Sequence, residues 1–416
     1  MARFKNFLFG IIILVLSTAL YFSIQHNSYN VVLSGIFDNY QRESESLVLS
    51  DIYAQKYDLN TKGWRLGYIA PEETSVPDIL YPYNHFEKGD NAKVKFIPYV
   101  SQFGIQSVFF SGLANLFNAE SIQQIRSINS ILFTLTIAAL VILYARLFNP
   151  YFAAIFLAVF VISPWIVPIS RNLYWMPFAW FLPAIFSAIY FLSALKKARY
   201  LCLLMIFLSF ALKCMAGYEY ITSITLLTCA PVFLLPFFNK NIEKYSIRDF
   251  LLIFGVCVLA FAAVLLIHSG MRGNSILDGL QNIYEYDVKR RTYGDAHDFN
   301  NIEIQKSLNA TVWTVLREYF ANWSTDVVKY LPGEIFPWLI GIVFALCGLS
   351  RNWKALVAFI YALSIPLSWY ILAKSHSEVH VFINFVLWYM LFIPLMFYHI
   401  GYFVVRLFNM LTSRLN

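Results

Sequence analysis

Two carboxylates, Glu43 and Glu45, stand two residues apart in the segment 37-FDNYQRESESLVLSDIYAQKY-57. A carboxylate set in a cleft can take a proton from an attacking hydroxyl. The segment reads as an amphipathic helix. At 100° per residue, with Glu43 at the origin, Val48, Leu49, Ile52 and Tyr53 fall at roughly 140°, 240°, 180° and 280°. Glu45 falls at about 200°, inside that apolar arc, where burial is expected to raise its pKa and suit it to general-base work near neutral pH. Glu43 lies on the opposite side, beside Leu47 and Asp51, where a first-turn acid is also favoured by the helix dipole alone.

A second set of chemically able residues interrupts strongly apolar stretches. The segments 170-SRNLYW-175, 213-KCMAGYEY-220, 268-HSGMR-272 and 374-KSHSEVH-380 all map to one end of the apolar runs. Charged groups at membrane depth are costly, which makes them candidates for function. Arg171, Lys213, Arg272, Lys374, His376 and His380 together would form a cationic rim suited to a phosphate at headgroup depth. Lys213 and Glu219 either pair with each other or hold substrate. Gln102, with Ser101 and Gln106, can hydrogen-bond hydroxyls or serve as a structural cap. The run 284-YEYDVKRRTYGDAHDF-299 carries Arg290 and Arg291 and reads at least as well as a solvated loop face. No set of side chains shows metal-ligand spacing. The five cysteines lie in or beside apolar runs, so neither a disulfide framework nor a metal site is expected.

The elements that must position these residues are apolar helices. Of 416 residues, 59% are hydrophobic and 13% charged, with a mean hydropathy of +0.59; a soluble domain carries roughly 25% charged residues. The net charge of +7 could suggest nucleic acid. The basic residues instead sit in short segments between apolar runs, which excludes that class and points to membrane topology. A span needs about 20 apolar residues. Ten runs qualify, at 7–23, 128–147, 151–169, 174–195, 200–213, 219–238, 249–267, 335–350, 355–373 and 381–400, that at 200–213 being short enough to be re-entrant or tilted.

With the N-terminus in the cytoplasm, the short inner segments hold Arg3, Lys5, Arg146, Lys196, Lys197, Arg199, Lys240, Lys244, Arg248, Arg351, Lys354, Arg406 and Arg414, against Glu243 and Asp249. The short outer loops hold Arg171, Lys213 and Lys374, so both termini are expected to be cytoplasmic. The chain then divides into a first span (1–23), an outer loop with amphipathic helices (24–127), a bundle of spans (128–267), a second outer loop (268–334), and C-terminal spans with a cytoplasmic tail (335–416). The expected fold is an all-α polytopic membrane protein of about ten transmembrane helices with two large outer loops.

A first span followed by a long outer loop that opens with acids on an amphipathic helix resembles the GT-C class of membrane glycosyltransferases. Within that class, the length, the ten-span layout, and the segments YVSQFGIQ, SRNLYW, KCMAGYEY and KSHSEVHVFINFVLWY are similar to the O-antigen glucosyltransferases of serotype-converting bacteriophages. The resemblance implies a bacterial inner-membrane enzyme with both loops in the periplasm. It implies no cofactor and no metal, undecaprenyl-phosphate glucose as donor and O-antigen lipopolysaccharide as acceptor. Its implied site has Glu43 or Glu45 as base, with Arg171, Lys213, Glu219, Lys374, His376, His380 and Gln102 on the substrates. The class often places an adjacent Asp-Glu pair after the first span. Here Ser44 separates Glu43 from Glu45, which keeps Asp38 and Asp51 open as the base. A polysaccharide polymerase or ligase, a membrane O-acyltransferase and a lipid-linked oligosaccharide flippase are the alternative readings.

Overall fold

The computed structural model describes residues 2–74, 76–87, 93–239, 241–242 and 244–415, so Lys240 and Glu243 lie outside it. Among the described residues, seven helices are long and apolar enough to cross a membrane: Phe7–His26, Ile122–Leu147, Lys196–Ala216, Ile221–Phe238, Ile247–Arg272, Trp353–Leu372 and Phe392–Asn409. Three shorter apolar helices, Pro150–Val161, Phe178–Leu192 and Gly333–Leu349, coincide with further expected spans. The chain is a helical, multi-pass membrane protein. The Ile221–Phe238 helix is central, packed among Phe178–Leu192, Ile247–Arg272 and Trp353–Leu372. By contrast, Ile247–Arg272 turns Leu251, Leu259 and Leu266 outward, as a helix at the lipid boundary does.

Two spans differ from expectation. The run at 200–213 belongs to a full 21-residue helix, Lys196–Ala216, whose basic first turn hides its length from a hydropathy reading. The last span does not cover 381–400. Val381–Asn384 is a single turn, Phe385–Tyr389 is 3-10, and the long helix runs from Phe392 to Leu415. Residues 385–393 are all fully buried within the protein. Their apolarity comes from that burial, and irregular backbone at such depth is tolerated only where protein surrounds it.

The first long loop builds a small cap. Ser34–Asn39 and Arg42–Lys56 are helices, and Ile105–Leu116 is a third that leads to Ile122. The one departure from an all-α architecture in the described residues is a two-stranded antiparallel ribbon, Gly67–Pro71 against Val94–Pro98, with Gly67 opposite Pro98 and Pro71 opposite Val94. The ribbon seats on the Arg42–Lys56 helix through a satellite core of Tyr53, Ala54, Ile69, Tyr81 and Phe96. In the second loop, Ile276–Ile283 passes through a π-helical turn, Tyr284–Val288, into Lys289–Arg291. Ile302–Asn309 and Val312–Ala321 follow.

Candidate active site

The two loops and the ends of the spans enclose a polar cleft of about 630 Å³. Arg42, Glu43 and Ser44 line it from the first turn of their helix, Tyr68 from within the ribbon and Tyr99 from just after it. Trp175, Glu219, Arg290, Arg291, Glu303, His376 and His380 line it as well. Glu43 is exposed to this space.

Glu45 faces the other way, because two residues along a helix rotate a side chain by about 200°. It is fully buried. Arg126 closes an ion pair on it and donates from Nε at 3.1 Å, Tyr83 Oη donates at 2.9 Å, and the Leu173 N–H donates at 3.2 Å. The apolar arc read from the sequence therefore buries Glu45 as expected, but the inferred pKa does not follow. Burial alone would push the carboxyl up; the charge and hydrogen bond of Arg126, helped by Tyr83, outweigh it and hold the group below its ordinary range. Glu45 fastens the cap to the Ile122–Leu147 span.

Replacing Glu45 with Gln leaves Arg126 buried without its counter-charge, and such losses cost ~3–5 kcal/mol. Glu45→Gln is expected to lower the melting temperature sharply in detergent, with Glu45→Gln/Arg126→Met recovering part of it. An unchanged melting temperature in the single variant would contradict the ion-pair role. The depressed pKa fixes the sign with pH. The stabilisation is complete above the unfolded carboxyl value of ~4.3 and is lost as pH falls through the lower folded value.

The remaining expected residues divide between the cleft and other duties. Glu219 stands in the turn between two spans, and its carboxylate accepts from Gln102 Nε2 at 2.6 Å and lies 3.5 Å from Arg291 Nη1. Gln102 also donates to Tyr174 Oη at 2.6 Å, so it orients Glu219 rather than lining the cleft. A Cβ on Gly217 would collide with the Glu219 carboxylate and crowd the Gln102 amide, which explains why a glycine stands there.

The expected pairing of Lys213 with Glu219 is not made. Lys213 Nζ donates to the Gly217 carbonyl at 2.5 Å, capping its own helix. Lys374 Nζ likewise donates to the Leu308 and Ala310 carbonyls at 2.5 and 2.6 Å, closing the Ile302–Asn309 helix. Arg171 lies over the Phe37 ring, 4.0 Å from its centroid. None of these three cations lines the cleft. Asp51 does not line it either; it is buried, bonded to Gln55 at 2.7 Å, and burial pushes its carboxyl up to about 6. Asp38 is exposed on the Ser34–Asn39 helix.

The cations that line the cleft are Arg42 from the first loop and Arg290 and Arg291 from the second. Asp287 in the π turn pairs with Arg272, and lies 3.4 Å from Arg290 Nη2 and 3.8 Å from Arg291 Nη2. Burial would lower the Arg291 pKa, but Glu219, Tyr99 and Asp287 more than compensate, so the guanidinium stays charged. Sequence reasoning singled out Arg290 and Arg291 without preferring them. The usable signal was their place on an amphipathic helix beside aromatic residues.

Arg291 also borders a second space. An apolar groove of about 430 Å³ runs from it along Tyr218, Ile221, Phe261, Leu265, Trp369 and Leu372, between three membrane spans.

No family model matches the chain, and no curated protein matches it. Among solved structures, the crystal structure of the Archaeoglobus fulgidus oligosaccharyltransferase in its apo form aligns with all of this chain and 53% of its own length, at 11% identity and a TM-score of 0.44. This chain thus spans about half the length of the protein it is similar to.

Proposed function

We propose that this chain is a GT-C-type membrane glycosyltransferase that moves a sugar from a polyprenyl phosphate to an acceptor glycan on the outer face of the membrane. The observation that carries the proposal is the junction at Arg291, where a polar cleft large enough for sugars meets an apolar groove set among the spans. A substrate with a charged headgroup and a long hydrocarbon tail has that same division, with its phosphate at the seam. A guanidinium there can take two phosphate oxygens at once.

The residues then divide the reaction among themselves. Glu43 takes the proton from an acceptor hydroxyl as its oxygen bonds to the anomeric carbon. The bond from that carbon to the phosphate oxygen breaks, and the electron pair leaves with the lipid phosphate. Arg291, with Arg290, stabilises that charge. Attack opposite to the leaving phosphate inverts the anomeric centre. Lipid phosphate leaves readily, so no general acid is required. The similarity of the SRNLYW and KCMAGYEY segments to phage O-antigen glucosyltransferases favours undecaprenyl-phosphate glucose as donor and O-antigen as acceptor. It favours the bacterial inner membrane as the site and serotype modification as the outcome, while the basic short loops favour cytoplasmic termini.

Incubating proteoliposomes with radiolabelled undecaprenyl-phosphate glucose and O-antigen lipopolysaccharide is expected to move label into the polysaccharide. Absence of transfer from this donor and from galactosyl and mannosyl analogues would sink the reading.

A further inference from the structure

His376 and His380 sit one helical turn apart on the cleft wall, with ring centroids 4.4 Å apart. His376 is 7% exposed, and its ring is braced edge-on by Trp369 at 5.4 Å; Phe382 braces His380 at 5.9 Å. Several neighbouring polar groups are satisfied. Ser375 and Ser307 bond through their hydroxyls at 2.6 Å, Lys374 holds two carbonyls, and Tyr319 Oη donates to the Ser377 carbonyl at 2.7 Å. The buried Nδ1 of each imidazole has no hydrogen-bond partner among the described residues; Ser377 Oγ and Glu378 Oε2 beside them have none either, but only the two histidines line the cleft. A buried polar atom left without a partner is costly, and a ring held in place by packing cannot turn away to find one.

Resting on the glycosyltransferase reading above, we propose that His376 and His380 form a neutral hydrogen-bonding edge that reads the hydroxyls of the transferred sugar, and that neither binds its phosphate. A neutral imidazole offers one donor and one acceptor, which matches a sugar hydroxyl that gives and takes. A phosphate would demand donors alone. The charge state agrees with the geometry. Burial, the neighbouring imidazole and the nearby arginines push His376 well below its ordinary range, and burial with Arg291 pushes His380 down to about 4. The pair is therefore uncharged at neutral pH. The phosphate falls to Arg290 and Arg291, and the sugar lies in the cleft that the histidines and Glu43 both line.

The test uses full-length protein in nanodiscs and two kinds of probe: bare undecaprenyl phosphate, and undecaprenyl phosphates bearing glucose, galactose or mannose. Wild type is expected to bind one sugar-bearing lipid about tenfold more tightly than the bare lipid, as two modest hydrogen bonds imply. His376→Phe keeps bare-lipid affinity and loses that preference, and His376→Asn, which still offers a donor and an acceptor, restores part of it. Should His376→Phe fail to fold, His380→Phe and His376→Asn carry the same comparison. Loss of affinity for bare and glycosylated lipid alike would overturn the assignment in favour of a phosphate role. An unchanged sugar preference in every variant would overturn it outright. Binding of neither class by wild type would instead remove the glycosyltransferase reading itself.

Discussion

Glu43→Gln is expected to lower transfer roughly 10²–10⁴-fold, the range that general-base help contributes, while the protein stays folded in the membrane. The expectation follows from where the side chain sits. Glu43 is exposed to the cleft in the first turn of the Arg42–Lys56 helix. Gln is nearly isosteric, and surface changes away from packed features shift stability within about ±0.5 kcal/mol. Turnover should fall with donor affinity little changed, because the base acts on the acceptor hydroxyl and not on the lipid. The contrast with Glu45→Gln makes the pair informative: one loses turnover and keeps its melting temperature, the other loses its melting temperature. Wild-type turnover in Glu43→Gln would move the base to another carboxylate of the cleft, with Glu303 and Glu219 the first to try.

Arg291→Ala carries the second large effect. Its guanidinium lies where the polar cleft and the apolar groove meet, beside Glu219 and Asp287. Truncation removes the phosphate contact and strands buried carboxylates, and losses of this kind run to ~3–5 kcal/mol. A fall in kcat/KM for the lipid donor of roughly 10²–10³-fold is expected. Arg291→Lys should recover only part of it, since a point charge cannot grip two oxygens of one phosphate. A structural loss is separated by Arg291→Met/Glu219→Gln, which removes the stranded charge with its partner. Stability should return in that double variant and donor use should not. Recovery of donor use would show that Arg291 serves folding alone.

Much of this architecture could be read from local pattern. Apolar runs and the placement of basic residues located the spans, since a helix in lipid must be apolar along most of its length. The 100° spacing put Glu45 on the buried side of its helix. What the pattern lacked was partners. Glu45 is answered by Arg126, 81 residues away, and that partner reverses the direction of its pKa. Lys213 and Lys374 were read as costly cations at membrane depth. Each is satisfied by backbone carbonyls at a helix end, and for Lys374 those carbonyls lie more than 60 residues away. Arg291 was named but not preferred, for the converse reason. A charge run resembles a solvated face until the π turn at Tyr284–Val288 aims it inward, and an extra residue in a helical turn leaves no periodic trace. The last span misled because a segment wrapped in protein and a segment wrapped in lipid read alike in hydropathy.

Under the proposed function, the carboxylate of Asp287, shared among Arg272, Arg290 and Arg291, bears on how quickly the site empties. Arginines with no resident counter-ion would clasp a spent lipid phosphate tightly and let it go slowly, so turnover would be governed by departure of the carrier. With Asp287 in place, each guanidinium has somewhere to return as the phosphate slides back along the groove. The energy of breaking one contact is offset by remaking another. The same competition weakens arrival and hastens departure, and it sets the pace at which one protein can serve successive carriers.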